Sequence, residues 1–197
     1  MALTQLPSYL KPVDARLVVR NATDEQKSEI NLRNPVPYGF REVLFLEAAF
    51  APIAAAYVSA LQAWVEALDG RVTAFKMPMT PRVWGAECSA TIAISATTTR
   101  GSGEIPVTVT GTIPAGALIG VGDIETTYQM FEVLEAATSA TTALKVAPRV
   151  RHAFTTSAAV VVGSSVYGRF KLASDESGGV ALRLDRGVIS LAAVEAI

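Results

Sequence analysis

Apolar and polar positions alternate in short runs along most of this chain, and one longer run breaks the rhythm. ARLVVRN (15–21) reads as a strand, and the turn-prone ATDEQ follows it. SEINLRN (28–34) sets Ile30 and Leu32 two apart, as a half-buried strand does. Pro35 and Pro37 are expected to break that strand. GFREVLFLEAAF (39–50) then places Phe40, Val43 and Phe45 against Arg41, Glu42 and Glu47 around an apolar centre. Residues 1–14 hold two prolines and little pattern, and read as an N-terminal arm.

The longer run carries the one convincing helix. Tyr57, Leu61, Trp64, Val65 and Leu68 fall at i, i+4, i+7, i+8 and i+11, a single apolar stripe, while Ser59, Gln62 and Glu66 lie away from it. Pro52 suits a first helical turn, where its missing N–H costs nothing. Asp69-Gly70 closes the pattern, with Gly70 fitted to a left-handed cap. The spacing predicts a helix over 52–69 whose stripe lies on a sheet, anchored by Tyr57, Leu61, Trp64 and Leu68. RVTAFKM resumes strand character.

Two prolines, an arginine and a tryptophan between Pro78 and Gly85 make an irregular crossing. Beyond it TIAISATT, IPVTVTGT, ALIGVG, YQMFEVLEA, TALKVAP, AAVVVG and GRFKLA are short β-prone runs separated by turn signals. Such spacing favours a barrel or sandwich. VALRLDRGVISLAAVEAI adds two more strands around Asp185-Arg186-Gly187.

Composition changes this picture in one respect. Half of the 197 residues are hydrophobic, enough for a core without crosslinks, and a single cysteine excludes an internal disulfide framework. Charged residues make up 18%, below the usual figure of about 25%. The net charge of −1 gives no general attraction to nucleic acid or an anionic membrane. No window reads as a signal peptide or membrane span. With mean hydropathy at +0.35, the apolar surplus belongs in the core or in a protein contact.

Candidate chemistry is sparse. His152 is the only histidine, so one subunit cannot assemble a histidine metal cluster, and its setting in APRVRHAFT reads as a solvated turn or strand end. Cys88, leading into a strand, suits a small buried residue. VGSSVYG (162–168) is not a nucleophile elbow, and GALIGVGD (116–123) lacks the Lys-Ser/Thr pair and following helix of a phosphate loop. Asp123, Glu125 and Glu132 around Tyr128 read as hairpin-surface acids rather than a glycosidase pair or calcium site. Arg149 and Arg151 would share a strand face, read as solvated. No catalytic residue, cofactor or metal site is expected.

The order of pieces carries a resemblance. FREVLFLEAAFAPIAAAYVSALQAWVEALDGRVTAFKMP, with Ala63-Trp64, Leu68, Gly70-Arg71 and Phe75, resembles a strand–helix–strand segment of tail-tip proteins from long-tailed bacteriophages. GTIPAGALIGVGD, YQMFEVLEAA, LKVAPRVRHAFTTSAAV, GRFKLA and the closing SLAAVEA are similar to the rest of that group, the distal tail proteins. The likeness runs from about Phe40 to Ile197. The chain departs from the group in its short MPMTPRVWG loop and in reading Ala147-Pro148-Arg149-Val150-Arg151 where relatives tend to show Pro-Pro-Leu-Arg.

This resemblance implies a mainly β fold: a β-barrel or split-barrel core (15–85 and 167–197) with the helix packed on it, and a small inserted β-barrel or sandwich domain (86–166). It implies a structural virion protein of the tail tip, made in the host cytoplasm. Such proteins form a homo-oligomeric, hexameric ring that joins the tail tube protein to tip or baseplate hub proteins around a channel. Neither specific nucleic-acid binding nor a membrane is implied. In such a ring Asp123, Glu125 and Glu132 would face the channel, and Trp64→Ala would cost roughly 3–5 kcal/mol and block ring formation. The alternative is a module in which the inserted domain binds a host glycan or surface protein through Tyr128, Phe131, Phe154 and Tyr167.

Overall fold

The computed structural model describes residues 4–27, 33–69, 72–79, 87–123, 127–173, 180–183 and 186–196. The chain runs β1 (Thr4–Gln5), β2 (Pro12–Lys27), β3 (Arg33–Phe50), β4 (Ile53–Ala54), a 3-10 turn at Ala55–Tyr57, α1 (Val58–Ala67) and β5 (Phe75–Pro78). It continues through β6 (Thr91–Ile94), β7 (Glu104–Thr110), β8 (Leu118–Val121), β9 (Gln129–Val133), β10 (Ala143–Ala147) and β11 (Val160–Val162). A second 3-10 turn leads to β12 (Tyr167–Leu172), β13 (Val180–Arg183) and β14 (Arg186–Glu195). The fold is mainly β, as the patterning predicts.

The first sheet has eight strands in the order β1-β5-β12-β14-β3-β2, with β4 and β13 also paired to β14. The second has six, β11-β8-β9-β10-β7-β6, and its end strands β11 and β6 approach each other, so it nearly closes into a barrel. The whole second sheet lies in sequence between β5 and β12, which pair antiparallel with Pro78 opposite Tyr167. Met79 N–H also bonds Val166 C=O at 2.9 Å. The chain therefore leaves and re-enters the first sheet at adjacent positions, with the second sheet at the tip of a hairpin.

The β8–β9 hairpin joins the two cores, and period-2 alternation explains how. Leu118, Tyr128 and Met130 enter the first apolar cluster, with Leu44, Leu46, Phe75 and Phe170. Ile119, Val121, Phe131 and Val133, one residue out of phase, enter the second with Ile105, Ile113 and Phe154. Both faces of this hairpin are thus buried. Its glycine follows from that packing, since a Cβ on Gly120 would overlap the Tyr128 hydroxyl.

Several elements differ from expectation, each for an identifiable reason. Thr4–Gln5 pairs parallel with Phe75 and Lys76, Leu6 N–H bonds Lys76 C=O at 2.9 Å, and Leu6 and Leu10 are buried. The arm residues from Thr4 onward thus edge the first sheet and fill its core. The α-helix begins at Val58, six residues after Pro52, because Ile53–Ala54 pairs with Gly187 and Arg186 of β14 and a 3-10 turn intervenes. Asp69 at its end is left-handed, at φ 50°, a conformation that a short polar side chain tolerates. Gly70 lies outside the described residues, as do Ile30, Leu32, Asp185 and most of the 78–85 crossing.

Strand β2 continues through ATDEQ, and β3 continues through Pro35 and Pro37. Thr23, Asp24, Glu25, Gln26 and Lys27 pair with Pro37, Val36, Pro35, Asn34 and Arg33, while residues 38–41 stand opposite Ala22 alone. The polar turn signal marks that irregularity rather than a chain reversal. β14 pairs β3 only over Phe45–Ala49, so the two prolines sit where β3 has no second neighbour among the described residues. Proline is tolerated in such a strand because no ladder on its open side needs the N–H.

Candidate functional site

No three His, Cys, Asp or Glu side chains among the described residues could share a metal ion. None of the described helices is long and apolar enough to cross a membrane. Cys88 is a buried free thiol, and His152 is partly buried edge-on to Phe154 at 6.4 Å. Burial lowers the His152 pKa from its ordinary value, reinforced by the Arg151 and Arg100 charges.

The four helix residues separate by environment. Leu61 and Leu68 are fully buried. Trp64 is partly buried, packs edge-on to Phe75 at 5.5 Å and donates its indole N–H to Gln5 C=O at 3.1 Å. Tyr57 remains 49% exposed and stacks on Tyr9 at 4.8 Å, because it belongs to the 3-10 turn rather than the α-helical stripe. The helix therefore pins β1 as well as covering the sheet.

Of the three acids, Glu125 lies outside the described residues. Asp123 is exposed just past β8, its N–H bonded to Thr127 Oγ1 at 3.2 Å. Glu132 is half-buried on β9, opposite Leu118 at the other end of the hairpin. Val121 pairs with Gln129, so about five residue steps, roughly 16 Å, separate the two acids along the hairpin. They do not form a carboxylate pair.

The aromatic residues a glycan platform would use are already engaged. Phe131 and Phe154 are 0% and 2% exposed and meet edge-on at 6.3 Å. Tyr128 is buried and stacks on Tyr167 at 4.1 Å, and its hydroxyl accepts the Tyr167 N–H at 3.3 Å. Lys76 Nζ sits 3.9 Å from the other aromatic partner, the Tyr167 ring. Burial raises the Tyr128 hydroxyl pKa well above the usual tyrosine range. Tyr167 is pushed up to about 12, by burial first and the Asp123 charge second.

The most elaborate polar arrangement joins the two sheets, and sequence reading missed it. Arg151 is not solvated: its side chain is 8% exposed and its Nη2 donates to Glu195 Oε2 at 2.5 Å, with that carboxylate 4% exposed. Gln129, 1% exposed, takes the Arg151 N–H on Oε1 and donates from Nε2 to Arg149 C=O, both at 2.8 Å. Leu44 N–H donates to the same Glu195 oxygen at 3.3 Å. The pieces lie 20 to 151 residues apart in sequence, and Val-Arg-His offers no local sign that one arginine is buried. Arg149 is exposed, as expected, with Nη1 donating to Gly101 C=O at 3.2 Å.

The largest unfinished feature is backbone. The distal β2–β3 ribbon, Thr23–Lys27 against Arg33–Pro37, pairs only with itself among the described residues. Among the described residues β2 also forms one edge of the first sheet along its whole length. Neither a protein-family model nor a curated protein sequence matches this chain.

Proposed function

We propose that this chain is a structural, non-enzymatic subunit of a closed ring, and that the ring is the distal tail ring of a long-tailed phage. The observation that carries the first half is the long edge of β2 with its two-stranded ribbon. A two-stranded ribbon alone is marginal in water, and an open β edge of sixteen residues invites pairing. A second copy of the same chain is the partner we assign to it. Head-to-tail docking of that kind closes into a ring when the rotation per subunit divides the circle. Low surface charge fits a chain that hides surface in an assembly.

The second half rests on the resemblance of the strand–helix–strand segment and the later motifs to distal tail proteins. In this reading the ring is a hexamer in the virion, between the tail tube protein and the tip or hub proteins. Asp123, Glu125 and Glu132 would line the channel, where acidic side chains avoid the phosphate contacts that trap DNA. The host-surface reading has less support, because Tyr128, Phe131 and Phe154 are buried and Tyr167 is stacked.

The test is a variant in which residues 23–37 are replaced by a short turn. We expect it to keep the two apolar cores and melt cooperatively but to remain a monomer where the parent chain assembles. Assembly equal to the parent's would remove the ribbon and with it the proposal's main support.

A further inference from the structure

Glu195 ends β14, and its side chain serves two different parts of the molecule. The β14–β3 ladder runs as far as Val194 opposite Phe45. One step further the backbone pair would be Glu195 with Leu44. There the carboxylate takes over, accepting the Leu44 N–H at 3.3 Å on the oxygen that also holds Arg151. Leu44 lies at the root of the β2–β3 ribbon, next to the last residue that β14 pairs. Arg151 belongs to the second sheet's closing loop, and Gln129 of β9 clamps it through both the Arg149 C=O and the Arg151 N–H.

We propose that the chain Gln129–Arg151–Glu195–Leu44 is a mechanical coupling between the second sheet and the ribbon root. The argument is geometric. A displacement of Arg151 moves the shared oxygen, and the Leu44 N–H then loses its acceptor in a buried setting where no water replaces it. Buried ion pairs contribute little net stability against well-packed apolar residues, so stability alone does not explain one here. What the pair supplies is a single allowed orientation of the two sheets. The inference holds for the isolated chain and stands whether or not the ring reading does.

The test is backbone hydrogen exchange on the full chain. Gln129→Met keeps an unbranched side chain of similar length, at a position that hydrogen-bonds neither Glu195 nor Leu44. It should raise the Leu44 exchange rate at least tenfold, while the Val133 and Ala173 amides, bonded within the second and first sheets, change less than threefold. Coupling is reciprocal, so Glu195→Gln, which keeps the shape and removes the charge, should raise exchange at the Arg151 amide. A general loss of stability would raise all four amides together, and that result would overturn the proposal. So would an unchanged Leu44 amide in Gln129→Met. If Gln129→Met fails to fold, Glu195→Gln decides alone: an unchanged Arg151 amide rejects the coupling.

Discussion

Replacing Trp64 tests how the helix holds the first sheet. Full burial would give roughly 3–5 kcal/mol for Trp64→Ala, but the indole is only partly buried. Its edge-on pair with Phe75 accounts for about 0.5–1.5 kcal/mol. Half the burial of a large apolar side chain adds about 1 kcal/mol. The indole N–H bond to Gln5 C=O faces solvent, so it adds only about 0.5 kcal/mol. Trp64→Ala should therefore cost about 2–3 kcal/mol, read as a lower urea midpoint with an unchanged slope. Leu61→Ala, at a fully buried position, should cost as much or more, and Tyr57→Ala less than about 1 kcal/mol. Trp64→Phe isolates the N–H: it should cost about 0.5 kcal/mol yet speed exchange at the Leu6 amide, because β1 loses its tie to the helix. A Trp64→Ala cost equal to that of Tyr57→Ala would refute the reasoning. So would Leu6 protection untouched in Trp64→Phe.

Gly120→Ala should destabilise by about 1–3 kcal/mol in urea, because the new Cβ overlaps the Tyr128 ring end, and Tyr128→Phe in the same chain should recover part of that loss. Gly163→Ala should also destabilise: φ is +61° and a Cβ would lie 2.6 Å from Cys88 C=O, which thermal melting would report. The lowered His152 pKa means that the unfolded chain binds its proton first as pH falls below the ordinary value of about 6.5. Stability should therefore drop from that pH down to the folded-state pKa, and His152→Gln should flatten the melting temperature across that window. In an alkaline absorbance titration Tyr167 should ionise near pH 12, and Asp123→Asn should move that step downward.

Legibility from sequence followed how local each signal was. The strands from β6 to β12 and the final pair were readable because each is a short apolar run between turn residues, and the Leu61–Leu68 stripe was readable because its period is local. Tyr57 was misjudged because a stripe cannot show that β4 pairs with β14 and delays the helix. ATDEQ and Pro35-Val36-Pro37 read as breaks, yet a ribbon with one open side accepts both. Arg151 read as solvated because its partner Glu195 lies 44 residues on, at the end of a strand held between β12 and β3. The junction between the sheets, a product of long-range placement, had no sequence signal at all.

The claim that this chain builds a closed ring is tested most directly by solution mass from light scattering over a concentration series, with the same sample imaged by electron microscopy. The account predicts a particle of six times the 20.7 kDa chain, seen as a ring with a central opening. A monomer at every concentration, with no ring particles in the images, would contradict it.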